Sequence, residues 1–480
     1  MKNTGILSNL IWKFAERICA QVITLIVSIV LARCLLPEDY GLISMVNVFI
    51  TIADVFVTMG LGQALIQKNG ADEIDFSSIF YANILLSIVL YGILFFWAPY
   101  IAHFYGQELL SSVIRVMGIR LMVAAVNTVQ HAYVSKHMMF RKYFWSTLFG
   151  TILSGIVGIV MAYCGMGVWA LVAQYMTNSC VDTVVLFFTV DWRPKKMFSF
   201  NRVKTLLSYG WKLLFEGVSN TVVTQLRNLI IGKVYTSSDL AYYTKGQQFP
   251  SLIINNIAVS ISSVLFPAMS KINNDLQQVK SVMRKSIKIS SYILFPLLCG
   301  FAMIGRPFVS LVLTDKWLDC VPFLQLFCIN CIMMVGMYPR HEAIKSIGRS
   351  DVYMNEHIIY RIFDVAILLF VLRKGPMAIM VSTLIGAMLL TIILAYTSKK
   401  YTDYKFGEQL YDIKNSVLLT IIMMIVIYFI SFININQYLM MFIQIVVGMT
   451  VYIVLSVLFK VSEMNIILNV VRGFSKKEHR

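Results

Sequence analysis

Charged side chains interrupt several long apolar segments of this 480-residue chain. A cation at the centre of a lipid-facing helix costs about 2.5–3.5 kcal/mol, so we expect these groups to face one another or a wet cavity. The cations are Lys13, Arg17, Arg115, Arg120, Lys212, Arg227 and Arg361. The carboxylates are Glu16, Asp54, Asp182, Glu216, Glu356 and Asp364.

Helical spacing groups many of these residues into polar stripes. Lys13 and Arg17 lie on one face of the first apolar segment, and Lys212, Glu216 and Arg227 lie on one face of the seventh. The fourth segment has a stripe of Arg120, Asn127 and His131, and the eleventh has one of His357, Arg361 and Asp364. Stripes on the first helix of each half would face each other across a cavity.

The stripes contain more cations than acids, which favours an anionic ligand such as a diphosphate. The predicted ligand contacts are Lys13, Arg17, Arg120, Lys212, Arg227 and Arg361. The predicted ion-coupling groups are Glu16, Asp54, Asp182, Glu216 and Asp364. Structural interpretations stay open beside these roles. Arg115 and Arg227 can extend to the membrane surface, and Arg361–Asp364 and Lys212–Glu216 can be structural pairs.

Several chemistries have no signature in the sequence. No P-loop occurs, the six histidines lack zinc spacing, and Cys328 and Cys331 fit core thiols better than a metal site. Basic residues are spread over many connections, which disfavours nucleic acid as a partner. We expect no cofactor, no metal and no enzymatic activity.

The composition indicates an all-α polytopic membrane protein. Hydrophobic residues make up 58% of the chain and charged residues only 14%, against about 25% charged in soluble proteins. Apolar runs reach the roughly 20 residues that span a bilayer. Fourteen spans are predicted, at 10–32, 40–60, 77–99, 109–130, 143–164, 167–190, 207–231, 246–268, 289–305, 319–338, 353–372, 376–397, 415–433 and 437–458.

The distribution of Lys and Arg predicts the orientation. Most of the 41 basic residues fall on the N-terminal stub, the even-numbered connections and the tail. The odd-numbered connections hold only Arg33, Lys233, Lys245, Arg306, Lys316, Arg373 and Lys374. Basic connections stay on the cytoplasmic side, so both termini are predicted to be cytoplasmic.

A polar corner recurs within the chain. The segment LARCLLPEDYG (31–41) has a weaker counterpart in GKVYTSSDLAYYTKGQQF (232–249), with Asp39 matching Asp239 and Phe49 matching Phe249. We interpret Pro37 as ending the first helix and Gly41 as beginning the next. The repeat predicts two parallel six-helix halves, as in alternating-access transporters. The predicted bundles are 1–190 and 207–400, joined by a basic linker at 191–206 and followed by two extra helices and a tail at 401–480.

The chain resembles bacterial polysaccharide-unit flippases of the multidrug/oligosaccharidyl-lipid/polysaccharide (MOP) superfamily. The resemblance lies in LARCLLPEDYGLISMVNVF (31–49), DVFVTMGLGQALIQK (54–68) and LFPAMSKINND (265–275). It implies two bundles around a central cavity in the bacterial inner membrane. It also implies export of an undecaprenyl-diphosphate-linked sugar unit for lipopolysaccharide or exopolysaccharide. Expected partners are that substrate, membrane lipids and other polysaccharide-assembly proteins.

Two further functions stay open at this stage. A drug or cation antiporter of the same superfamily is expected to have a net acidic cavity. A membrane polymerase or ligase of the same pathway is expected to have a large outward loop with clustered catalytic groups, and the longest predicted outward loops are only about a dozen residues.

Overall fold

A computed structural model describes residues 3–58, 61–68, 70–433 and 435–464. The described residues form α-helices and one short 3₁₀ helix, and no strand occurs among them. The chain divides into two compact units, Met1–Ala241 and Tyr242–Arg480. The predicted division at 191–206 rests on the sequence repeat and stays a prediction.

The first unit contains nine helices in its described part and the start of a tenth. They are α1 (Asn3–Cys34), α2 (Pro37–Thr58), α3 (Leu61–Gln67), α4 (Glu73–Tyr105), α5 (Leu109–Gly118), α6 (Arg120–Lys136), α7 (Phe140–Tyr163), α8 (Val168–Thr189), α9 (Phe200–Val234) and the first residues of α10 (Ser237–Ser270). Helix α7 packs along both α1 and α8, and α9 packs against α2, α3 and α4.

The second unit begins within α10. It continues with α11 (Leu276–Met303), α12 (Gly305–Leu313), the 3₁₀ helix η1 (Asp315–Cys320), α13 (Val321–Met334), α14 (Met337–Ser346), α15 (Ser350–Val371), α16 (Pro376–Thr402), α17 (Phe406–Ile430) and α18 (Gln437–Leu458). Helix α11 packs along α13 and α17, and α15 packs along α16.

The protein is an all-α polytopic membrane protein. Within the described residues, eleven helical segments are long and apolar enough to cross a membrane. All fourteen predicted spans coincide with helices, but α9, α10 and α15 are outside those eleven. The count of fourteen therefore stays a prediction.

The predicted corner differs from the structure in its boundaries. Pro37 is the first residue of α2 rather than the end of α1, which stops at Cys34. Proline is favoured there because the first helical N–H has no partner within the helix. Gly41 lies inside α2, where a β carbon would come 1.9 Å from the Ser237 carbonyl oxygen. This glycine allows the two matching corners to touch, rather than starting the helix.

The two corners share one capping geometry. Asp39 Oδ2 accepts the Leu36 N–H at 3.1 Å, and Asp239 Oδ2 accepts the Thr236 N–H at 3.1 Å. Each carboxylate belongs to the third residue of its helix and accepts the backbone N–H of the residue just before the helix. This hydrogen bond is half of a capping box. The repeat seen in the sequence is therefore also a repeat of local structure.

The basic linker is tied to the start of α4. Its irregular part covers 191–199, since α9 already begins at Phe200. The Ser199 N–H donates to Ser78 Oγ at 2.9 Å, and Trp192 is buried against the rings of Phe76 and Phe80. The linker is thus part of the first unit's core.

Asp75, at the start of α4, forms ion pairs with two basic side chains near this linker. Its buried carboxylate binds Lys68 at 2.6 Å and Arg202 at 3.4 Å. The neighbouring Asp72 caps α4 by accepting the Asp75 N–H at 2.9 Å, which holds the pKa of the Asp72 carboxyl below its usual value. Much of the basic charge on this face therefore has a local structural partner.

Candidate functional site

A polar cavity of about 400 Å³ lies within the first unit, among α2, α3, α6, α7 and α8. Its ionisable groups are Asp54, Arg120, His131, Tyr143 and Asp182. Its other polar side chains are Thr58, Gln63, Asn127, Thr128, Ser135, Asn178, Ser179 and Thr183. This cavity is the candidate functional site.

Helix α6 supplies one wall through its periodicity. Arg120, Asn127 and His131 lie on one face of the helix, because their positions differ by about one or two helical turns, and all three line the cavity. The helix starts at Arg120, just after a break at Ile119 that separates it from α5. The polar stripe predicted for this segment therefore lines a real cavity.

Asp182 on α8 faces that stripe. Its Oδ2 accepts a hydrogen bond from Asn127 Nδ2 at 2.6 Å and lies 3.1 Å from His131 Nε2. The Tyr143 ring lies edge-on to the His131 ring, with centroids 4.5 Å apart. Because bonds to a charged acceptor are stronger than neutral ones, this group fixes α6 to α8.

Close packing of α7 on α8 positions Asp182. A β carbon at Gly150 would come 3.2 Å from the Asn178 carbonyl oxygen and 3.5 Å from Asp182 Cβ. Glycine at this position allows the two backbones to approach, which brings Asp182 to the cavity wall.

Asp54 on α2 is the second carboxylate of the cavity. Its Oδ1 is buried and, within the described part of the chain, accepts no hydrogen bond. Arg120 lines the same cavity and supplies a positive charge. The described lining thus holds two carboxylates together with one arginine and one histidine.

The remaining predicted residues lie elsewhere. Lys13 and Lys212 fall outside the residues whose side chains the structure describes. Glu16 and Arg17 are partly buried on α1, Glu216 is exposed on α9 and Arg227 is buried on α9. Of the predicted set, the cavity contains Asp54, Arg120 and Asp182.

Arg361 and Asp364 belong to the second unit, on α15. Asp364 is only 2% exposed, and a β carbon at Gly386 on α16 would come 2.7 Å from its Oδ1. The roles predicted for these two residues stay predictions.

A second repeat, a pair of one histidine and one tyrosine, was not predicted from the sequence. His341 and Tyr353 lie 210 positions after His131 and Tyr143, and their rings are also edge-on, with centroids 4.9 Å apart. The backbone repeats with them, because α6 and α14 end at Lys136 and Ser346, and α7 and α15 start at Phe140 and Ser350. The signal was the recurring twelve-residue His-to-Tyr spacing, which the 200-residue shift of the corners concealed.

The chain is similar to a known protein family and to several characterised proteins. A family profile described as "Polysaccharide biosynthesis protein" matches residues 30–322. The teichuronic acid biosynthesis protein TuaB of Bacillus subtilis is 23% identical over 72% of each chain. The structure of the lipid II flippase MurJ, in an inward closed conformation, matches with a TM-score of 0.76 and 17% identity, over 94% of this chain and 98% of MurJ.

An inward-facing multidrug resistance transporter of the MATE family, within the MOP superfamily, matches with a TM-score of 0.61 and 15% identity. It covers 82% of this chain and 99% of that one. The fold is therefore like that of MurJ and of this MATE transporter. The chain belongs to the polysaccharide biosynthesis protein family, whose profile covers more than half of it.

Proposed function

We propose that this protein is an exporter that moves a lipid-linked oligosaccharide unit across the bacterial inner membrane for surface polysaccharide synthesis. The observation that carries the proposal is the family match over residues 30–322, which extends across parts of both units. TuaB is named a teichuronic acid biosynthesis protein and MurJ a lipid II flippase, and both names point the same way.

The first unit offers a place for the polar part of such a substrate. The cavity around Asp182 is rich in hydroxyl, amide and charged groups that can hydrogen-bond to sugars and phosphates. Arg120 is the cation within it, and an arginine can bind phosphate oxygens through two parallel hydrogen bonds. We assign Arg120 to the head group. Arg17, Lys13, Lys212, Arg227 and Arg361 are further proposed contacts.

The second unit offers a place for a lipid chain. A groove of about 390 Å³ lies among α10, α11, α17 and α18. Its lining is almost wholly apolar and includes Ile293, Leu297, Phe301 and Met449. An isoprenoid tail has no polar group to satisfy, so a groove of this composition suits it.

Transport would proceed by alternating access, with cytoplasmic termini and uptake of the head group from the cytoplasmic side. Basic cytoplasmic connections support that orientation. Membrane lipids and other polysaccharide-assembly proteins complete the proposed partners.

The test is complementation in a strain that lacks this gene. Arg120→Gln should be present in the membrane but should fail to restore surface polysaccharide, and lipid-linked units should accumulate inside. Lys196→Gln is the matched control, because Lys196 is an exposed cation on the linker and is not part of the described cavity lining. Full activity of Arg120→Gln at normal protein levels would contradict the assignment of the cavity.

A drug or cation antiporter is the second candidate, and Asp54 and Asp182 are the observation in its favour. Two carboxylates in one cavity suit a cation better than a diphosphate. The same strains separate the two functions. Restored drug resistance without restored surface polysaccharide would replace the flippase proposal with the antiporter.

A further inference from the structure

A basic pocket of about 520 Å³ lies in the second unit, where the first turns of α11 pack against the start of α17. Its described lining contains one carboxylate, Glu408, and four cations, Lys280, Arg284, Lys285 and Lys288. Three of the cations recur every four residues, so they lie on one face of α11. The pocket shares no lining residue with the polar cavity of the first unit.

Two carboxylates on α17 hold three of these cations in place. Glu408 binds Lys280 at 2.9 Å and Arg284 at 3.3 Å. Asp412 accepts two hydrogen bonds from Arg284, at 2.7 and 2.8 Å, and lies 3.3 Å from Lys288. Because these contacts order the cations before a ligand arrives, less side-chain freedom is lost when one binds.

Lys285 adds a positive charge that the carboxylates do not balance. Its side chain is exposed and forms no ion pair or hydrogen bond with the residues that the structure describes. A lysine has three N–H donors, so Lys285 keeps all of its donors for a ligand. Four lining cations against Glu408 and Asp412 leave two positive charges in excess. An anion would remove that excess.

The corresponding helix start in the first unit has no such excess of ion-pairing cations. Helices α4 and α11 both begin after an aspartate that caps them, Asp72 and Asp275. Around the start of α4, three carboxylates are ion-paired with three cations. These are Asp72, Glu73 and Asp75 with Lys68, Lys195 and Arg202. The excess at α11 is therefore not shared by every basic connection of this chain.

Apolar side chains beside the pocket place it next to a lipid-facing surface. Leu410 and Tyr411 are exposed on the first turns of α17. Ile293 and Leu297 are exposed on α11, within three turns of Lys288. A ligand whose charged group occupies the pocket would therefore find an apolar surface for a hydrocarbon chain.

We propose that this basic pocket binds the phosphate of an anionic membrane phospholipid between α11 and α17. Basic pockets between membrane helices on the cytoplasmic side suit such head groups, and the connection that contains Lys280 to Lys288 is predicted to be cytoplasmic. The described lining has only three uncharged polar side chains, Gln277, Ser281 and Ser462. It therefore suits a phosphate better than a phosphate that carries several sugars. This binding does not rest on the proposed transport function.

Native mass spectrometry of the purified full-length protein tests the site by comparing phosphatidylglycerol, which is anionic, with phosphatidylcholine, which has no net charge. The wild type should bind phosphatidylglycerol more tightly. Combining Lys285→Gln with Lys288→Gln should weaken that binding about 30-fold, the loss expected for two lysine charges at an anionic lipid surface. Equal binding by the wild type and the double variant overturns the site.

Lys195→Gln is the matched control for this measurement. Lys195 is also an exposed cation on a basic connection, but it is paired with Glu73 and lies in the first unit. The variant should bind phosphatidylglycerol like the wild type. A loss as large as that of the double variant would show that any surface cation contributes equally, which overturns the pocket as the site.

Single variants at Lys285 separate the effect of charge from that of folding. Lys285→Gln removes an exposed cation that no described residue binds, so the protein should fold normally and bind phosphatidylglycerol about fivefold more weakly. Lys285→Arg keeps the charge and should bind like the wild type. An equal loss in both variants would show that charge is not recognised, which overturns the phosphate assignment.

Two further probes identify the source of the phosphate. Inorganic phosphate lacks a hydrocarbon chain, so it should not displace phosphatidylglycerol when the two are present at equal concentration, and displacement would assign the pocket to a soluble anion. Undecaprenyl phosphate should bind the double variant and the wild type alike. A loss as large as that of phosphatidylglycerol would assign the pocket to the transported lipid. Either of these two results overturns the phospholipid assignment, whereas a failure of complementation contradicts only the proposed function.

Discussion

His131 and His341 occupy equivalent places in the two units, yet their carboxylates have different environments. In the first unit, Asp182 lines an open cavity and accepts a 2.6 Å hydrogen bond from Asn127. In the second unit, Glu356 is 2% exposed and 3.7 Å from the nearest nitrogen of His341. The carboxylate also comes from a different helix in each unit, α8 in one and α15 in the other.

This difference shows which part of a repeat is kept by folding and which part is free to change. The edge-on His–Tyr contact recurs in both units, where it joins α6 to α7 and α14 to α15. The acid beside it comes from a different helix in each unit and does not recur with it. One unit has a hydrogen-bonded acid in a polar cavity, and the other has a buried acid.

The largest expected difference comes from neutralising each acid. Asp182→Asn removes the charge that Asn127 and His131 share, so it should cost about 1.5–3 kcal/mol, the value of a hydrogen bond to a charged group. The Glu356 carboxylate oxygens have no hydrogen-bond partner in the described structure, so Glu356→Gln should cost less than Asp182→Asn. Thermal unfolding in detergent at neutral pH measures both. Equal losses in the two variants would show that the two sites are alike.

Next come the glycines at the equivalent helix pairs. A β carbon at Gly386 on α16 would meet Asp364 Oδ1 at 2.7 Å, so Gly386→Ala should destabilise the second unit by about 1–3 kcal/mol through overpacking. At Gly150 on α7 the nearest atom would be 3.2 Å away. Gly150→Ala should cost less because its nearest contact is looser, whereas the helix preference of alanine, up to about 1 kcal/mol, is the same at both positions. The reverse order in thermal unfolding would contradict these packing distances.

A smaller effect, equal in the two units, is expected from the tyrosines. Tyr143→Leu and Tyr353→Leu keep most of the apolar volume and remove the edge-on contact with histidine. Such aromatic pairs contribute about 0.5–1.5 kcal/mol beyond their buried area. Both variants should therefore lower thermal stability by similar amounts. A loss confined to one unit would show that the contact has a structural role only there.

The fold class could be predicted from sequence because it depends on composition and period. Long apolar runs and their spacing predict membrane helices. The repeat of the corner at 31–41 predicts two related halves. The stripe of Arg120 on α6 could also be predicted, since it follows from helical spacing alone. Asp182, which bonds to Asn127 in that stripe, could only be named as a membrane carboxylate. Its contact joins α6 to α8, and the position of α8 depends on its close packing against α7 at Gly150.

Other features could not be predicted because they depend on neighbours far away in sequence. Glu356 was identified as a charge within a span, but its missing hydrogen bonds follow from the packing of α14, α15 and α16. Likewise, the basic linker was expected to be a connection, and the buried Trp192 shows that it is part of the core. Counts of Lys and Arg predict on which side of the membrane a connection lies, but they do not show which of these cations form ion pairs.

The smallest expected effect is at the two matching corners, where one capping box is complete and the other is half formed. The Asp239 N–H donates to Thr236 Oγ1 at 3.1 Å. The Leu36 side chain has no oxygen, so the Asp39 N–H donates to the Leu36 carbonyl instead, at 3.2 Å. Leu36→Thr should complete the box and stabilise α2 by about 0.5–1 kcal/mol, since Leu36 is 58% exposed and little burial is lost. Thr236→Leu should lose a similar amount. Opposite shifts in thermal unfolding would confirm that the two corners are interchangeable, and a loss in both would show that Leu36 packs against something its exposure does not reveal.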